Sequence, residues 1–154
     1  MRITKYNTIL NADRLPVLVK EFSKNYLDEQ QLNSPMKIVK MMNFVYNTEN
    51  LTEEFLWALC FDTKCHLKGI FEISHGLMDA SLASPREVFQ KLCLLGAHSF
   101  VLVHNHPSGD TTPSKEDKKI TERFKECGEL MNITLLDHII IGEDYYSFLN
   151  NNKL

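Results

Sequence analysis

The fourteen residues from His104 to Asp117 read HNHPSGDTTPSKED and carry the side chains best suited to hold a metal ion. Phe100, Val101, Leu102 and Val103 precede them as an unbroken apolar run, the pattern of a strand buried on both faces of a sheet. Side chains two apart in a strand point the same way, so His104 and His106 project together from its end. Pro107 has no N–H to give a ladder and stops the strand, and Ser108, Gly109 and Asp110 turn the chain. Pro113-Ser114 then opens a helix, with Ser114 at the N-cap and Asp117 at the third helical position. Two imidazoles and one carboxylate make a set that zinc accepts while keeping a fourth position for water, as catalytic zinc sites do. Ser114 and Asp117 also fit a capping box with Asp in place of Glu or Gln, which accounts for neither histidine and is compatible with ligation.

These residues need a scaffold, and the chain is long enough for one. Its 154 residues suffice for a single domain with a proper core and are too few for two. With 44% apolar and 24% charged residues the composition is that of an ordinary globular protein. A net charge of −3 gives no general basic field to recruit nucleic acid. No apolar run is long enough to span a bilayer and the first residues lack a signal-peptide core, so a cytoplasmic protein without membrane partners is expected. Cys60, Cys65, Cys93 and Cys127 contain no Cys-x-x-Cys pair and are expected as free, mostly buried thiols. Neither the His-x-Glu…Pro-Cys-x-x-Cys pattern of zinc deaminases nor His-Glu-x-x-His is present.

Periodicity supplies the elements. Residues 1–12 fit a short edge strand or a loose arm. From Asp13 to Gln30, Leu15, Leu18, Val19, Phe22 and Tyr26 recur at helical spacing, which predicts an N-terminal helical arm within residues 1–33, of uncertain role. Ser34-Pro35 starts a second helix with Met36, Val39, Met42 and Tyr46 as its buried stripe. Glu54 to Phe61 and Leu67 to Ser74 read as a hairpin about Asp62-Thr63-Lys64. Ser84-Pro85-Arg86-Glu87 reads as a full capping box for a helix that buries Val88, Phe89, Leu92 and Leu95 and ends at Gly96. The helix from Ser114 turns Ile120, Phe124, Cys127 and Met131 inward and ends at Asn132, and a last hairpin follows around Gly142-Glu143-Asp144. Hairpins among alternating strands and helices predict an α/β fold with a mixed sheet flanked by helices. His138 interrupts the apolar strand 135–141 and is expected as a hydrogen-bonded structural histidine, with support of the metal site as the alternative.

The string His104-x-His106, seven residues, Ser114, two residues, Asp117 resembles the JAMM motif of the JAB/MPN metalloproteases. His-Asn-His-Pro-Ser-Gly-Asp resembles the RadC branch in particular. The likeness runs from about Ser34 to Phe148, giving a RadC-like domain over residues 34–154. It implies an architecture similar to that of cytidine deaminases and a zinc-dependent hydrolase of peptide or isopeptide bonds. His104, His106 and Asp117 would hold one Zn2+ per chain. An upstream glutamate would serve as acid/base and Ser114 would steady the oxyanion. Glu53 and Glu54 both stand at the entrance of the first central strand, and the family's spacing to an Asp-Thr-Lys turn, counted back from Asp62, selects Glu54. Ser114 would be pulled between capping its helix and donating to the oxyanion. The substrate would be a peptide or protein of unread identity. Two other roles are a DNA-repair-associated nucleic-acid-processing factor, which the charge does not favour, and a catalytically silent binding module of the same fold. Oligomeric state is not legible.

Overall fold

The computed structural model describes residues 1–27, 31–76 and 83–154. Seven strands form one mixed sheet: β1 (Arg2–Leu10), β2 (Pro16–Asn25), β3 (Phe55–Phe61), β4 (Leu67–His75), β5 (Ser99–Asn105), β6 (Thr134–Ile141) and β7 (Tyr145–Ser147). Their order across the sheet is β2-β1-β4-β3-β5-β6-β7. The hairpins β1–β2, β3–β4 and β6–β7 are antiparallel, as is β3–β5, whereas β5–β6 and β1–β4 run parallel. Helix α1 (Pro35–Tyr46) covers one face, and α2 (Pro85–Leu95) and α3 (Lys115–Met131) cover the other. This is the mixed sheet between helices that the alternation of elements predicts.

Alternating side chains of the central strands feed two cores. Trp57, Leu59, Phe61, Val101, Val103, Ile139 and Ile141 pack with Ile38, Met41, Met42 and Val45 of α1. Leu56, Ala58, Cys60, Phe100 and Leu102 pack with Val88, Phe89 and Leu92 of α2 and Ile120 and Phe124 of α3. The rings of Phe89, Phe100 and Phe124 meet with centroids 5.6–6.4 Å apart, which seats α2 and α3 against β5. Each fully buried ring of this size contributes roughly 1.5–3 kcal/mol through its burial alone.

Several expectations need correction. Residues 16–25 form strand β2 rather than the helix read over Asp13–Gln30, whose last three residues lie outside the described ones. Asn11 closes the hairpin turn: its Oδ1 accepts the N–H of Asp13 at 3.0 Å and of Leu15 at 2.9 Å. The pairing skips Glu21, since Lys5 faces Phe22 and Tyr6 faces Lys20. That bulge puts Leu18 and Phe22 on opposite faces, in different cores, although four residues separate them. Alternation is thereby erased and a helical period imitated. In α1 the buried stripe is Ile38, Met41, Met42 and Val45, with Met36 51% exposed. Ser84 makes no side-chain cap bond, its carbonyl instead accepting from Glu87 N and Val88 N. Met131 is half exposed because α3 ends at Asn132 and Ile133 takes the buried place beyond it. Of the four free cysteines only Cys60 is buried, while Cys65 and Cys93 are exposed. Among the described residues, no helix is long and apolar enough to cross a membrane.

Candidate metal centre

Strand β5 and the first turn of α3 build the site between them. Every residue of β5 is buried, and β3 and β6 flank it on either side. His104 ends the β3–β5 ladder opposite Leu56, pairs with Ile140 on the other side, faces α3 and is fully buried. His106 N donates to Ile141 O at 2.8 Å, and Gly109 N returns to His106 O at 3.0 Å, closing a turn over Pro107 and Ser108. Gly109 holds a left-handed φ of 82°, and a Cβ on Gly142 would lie 2.3 Å from the Gly109 carbonyl oxygen. Glycine at both positions lets the loop after β6 press onto the histidine turn.

Asp117 reaches the same point from α3. Ser114 Oγ accepts Asp117 N at 3.0 Å, and Ser114 N donates to Asp117 Oδ2 at 2.7 Å, so the expected capping box forms with Asp as its acid. The position in the first helical turn also favours the carboxylate's negative charge. One ligand atom each from His104, His106 and Asp117 lies within 4.8 Å of the others.

The electrostatics suit a cation among the three residues. His104 Nε2 stands 3.3 Å from Asp117 Oδ1, yet this fully buried nitrogen has no hydrogen-bond partner. Burial drives the His104 pKa well below the ordinary histidine value, so the ring is neutral and presents no ion pair to Asp117. His106 Nδ1 lies 2.6 Å from the Asp110 carbonyl and donates to it, which turns Nε2 toward Asp117 Oδ2 at 3.5 Å. The hydrogen bond with Asp117 raises the His106 pKa against the opposing effect of burial. Burial pushes the Asp117 carboxyl up, but its hydrogen bonds with His106 and Ser114 outweigh it and hold the group well below the usual carboxylate range. The donor set therefore fits a divalent ion of borderline softness.

The other predicted residues separate clearly. Glu54 and Ser114 line one cleft of about 400 Å³ with His106, Asp110, Glu116 and Asp117. Glu53 instead pairs with His75, whose ring stacks on Phe55 at 4.1 Å, away from that cleft. Asn105, which sequence reasoning passed over, makes this division. Its Oδ1 accepts Phe55 N and its Nδ2 donates to Glu53 O, both at 2.9 Å, so its side chain replaces the next rung of the β3–β5 ladder. Its place between two histidines at a strand end was the available signal. The two tasks foreseen for Ser114 do not compete. A hydroxyl that accepts the cap bond through a lone pair keeps its hydrogen free to donate. His138 is fully buried and is hydrogen-bonded by both nitrogens, Nε2 to His104 Nδ1 at 3.1 Å and Nδ1 to Thr121 Oγ1 at 2.7 Å.

Residues 32–154 match the RadC-like JAB domain family, and the chain belongs to it. A UPF0758 protein of Clostridium botulinum (strain Langeland) is 39% identical over 144 residues, covering 94% of this chain and 61% of the relative. A UPF0758 protein of Thermotoga maritima is 40% identical over 127 residues, covering 81% and 55%. One from Clostridium perfringens (strain 13) is 37% identical over 137 residues, covering 89% and 60%. The chain thus spans less than two thirds of the length of these curated relatives. The seven-stranded mixed sheet with three helices agrees with the JAB/MPN fold.

Proposed function

We propose that this chain is a zinc-dependent hydrolase of peptide or isopeptide bonds. His104, His106 and Asp117 would hold one Zn2+, Glu54 would act as the acid/base and Ser114 as the oxyanion donor. The observation that carries the reading is the unpartnered, fully buried His104 Nε2, set beside a carboxylate it does not hydrogen-bond. A bare nitrogen and a carboxylate oxygen at 3.3 Å repel unless a cation lies between them. Zinc in such a position lowers the pKa of a bound water to about 7 and polarises a carbonyl. The chain's own residues would do the rest. Glu54, which lines the same cleft as Asp117, would take the proton as a water oxygen attacks the carbonyl carbon. It would return that proton to the amine as the C–N bond breaks. The Ser114 hydroxyl hydrogen, left free by the cap bond, would meet the developing oxyanion.

Charge supports a protein substrate over a nucleic acid. The two clefts that flank His106 carry Glu49 and Glu143 on one side and Glu54, Asp110 and Glu116 on the other. A phosphate backbone would meet repulsion at each. The test combines metal analysis of purified protein with cleavage of an unbiased peptide library. Stoichiometric zinc with metal-dependent cleavage supports the reading. Zinc without any cleavage would favour the silent module, and salt-sensitive DNA binding would favour the repair factor.

A further inference from the structure

We propose that Thr121 and His138 are positioning residues that fix which nitrogen of His104 is offered to the metal and tie that ligand to Asp117. The inference rests on the metal-site reading above and extends it to two residues outside the ligand set.

The direction of each hydrogen bond follows from the one before it. Thr121 Oγ1 lies 2.7 Å from the carbonyl oxygen of Asp117, four residues earlier in α3. A carbonyl only accepts, so the hydroxyl hydrogen is committed there. Thr121 can then offer only a lone pair to His138 Nδ1, 2.7 Å away, and that nitrogen carries the hydrogen. A neutral imidazole protonated at Nδ1 is bare at Nε2. His138 Nε2 therefore accepts from His104 Nδ1 at 3.1 Å, which leaves His104 Nε2 with its lone pair facing Asp117 Oδ1. The reverse polarity would turn the Thr121 hydrogen to His138 Nδ1 and leave the Thr121 and Asp117 oxygens 2.7 Å apart with no hydrogen between them.

The two ligand histidines reach the same result by different routes. His106, near the surface, is set by one backbone carbonyl, that of Asp110. His104 is fully buried, and its direction is relayed through a second ring and a hydroxyl. The relay ends on Asp117, the residue whose carboxylate faces His104. Strand β5, strand β6 and helix α3 are joined in one buried circuit, so the strand-borne and helix-borne ligands are set by the same chain of bonds. Groups that orient metal-bound histidines in this way are worth about 10- to 100-fold in metal affinity.

The test measures zinc affinity by competition with a chromophoric chelator, and reads the ring nitrogens of the metal-free wild-type protein by 15N NMR. Thr121→Val keeps the side-chain shape but loses the hydroxyl, and should weaken zinc binding by about 10- to 100-fold. Thr121→Ser keeps the hydroxyl and should restore the affinity. In the wild-type spectrum His104 should carry its hydrogen on Nδ1. A folded Thr121→Val protein with wild-type affinity would overturn the proposal. Should that variant fail to fold, the spectrum decides alone, and a hydrogen on His104 Nε2 overturns the proposal. Wild-type protein that takes up no zinc would overturn the metal reading itself and this inference with it. Normal zinc in the wild type with unaffected variants would remove the relay only.

Discussion

Along β5 every residue from Ser99 to Asn105 is buried, whereas along β2, at the sheet's edge, none of the ten residues is. The two strands also differ in how deeply their polar groups lie. His104 and Asn105 on β5 are buried and hydrogen-bonded to other elements. The tip of the β1–β2 hairpin instead leaves Ile9, Leu10 and Leu15 half exposed. The centre of the sheet is therefore where a missing contact is expensive and where a precise site can be held, because nothing there can relax into solvent. The edge adds strands without adding such constraints.

The largest test of this contrast is removal of a ligand. His104→Ala or Asp117→Ala should abolish stoichiometric zinc binding, whereas Glu54→Gln should keep the metal and lose turnover, because a base need not ligate. Metal analysis beside a peptidase assay reads both, and full zinc in His104→Ala would move the site elsewhere. Packing gives the next contrast. Leu102→Ala, fully buried on β5, should cost about 2–5 kcal/mol, against less than about 0.5 for Leu15→Ala at the hairpin tip, measured by urea unfolding. Equal costs would erase the distinction between the two regions.

Acid should weaken the centre first. Burial lowers the His138 pKa to about 4 from 6.5 and that of His104 well below its ordinary value. The unfolded chain therefore takes up protons near pH 6.5 that the folded, metal-free chain refuses. Stability falls as pH drops from 6.5 toward 4, by about 3 kcal/mol for His138 alone. His106, raised, contributes in full below 6.5 and does not alter this slope, and Asp117, depressed, loses its contribution only at lower pH. Urea midpoints that stay flat across that window would contradict a neutral buried pair. Ser114→Ala has the smallest structural effect, about 1 kcal/mol from the lost cap. Its kcat should nonetheless fall about a hundredfold if the hydroxyl serves the oxyanion. Unchanged turnover would leave this serine a cap alone.

The same contrast explains what could be read from the chain in advance. The segment from Phe100 to Asp117 was legible because its signals are local: an apolar run, a proline stop, a glycine turn and an N-cap, each within a few residues of the next. The hairpin was misread because a one-residue bulge shifts the phase of β2, and the turn chemistry of Asn11 was the overlooked signal. In α1 apolar residues stand almost all round the helix, so periodicity could not choose between Met36 and Ile38 as the inward position. His138 stands out as a polar break in the apolar strand 135–141, but Thr121 leaves no trace in local pattern, and the partners that join the two come from other elements. The family spacing favoured Glu54 over Glu53, but the physical ground for it, the Asn105 fastening, lies about fifty residues away along the chain.

That fastening has a consequence for how the molecule can vary. Asn105 grips the backbone on both sides of Glu54, and Gly76 N holds the Glu54 carbonyl at 2.9 Å. The backbone at Glu54 is thus held by β5, the strand that carries the histidines, as well as by the chain that leads into β3. Substitutions at its exposed residues Glu49 and Asn50 should leave the spacing between glutamate and histidines fixed. One amide side chain separates the placement of the glutamate from the loop that leads into its strand.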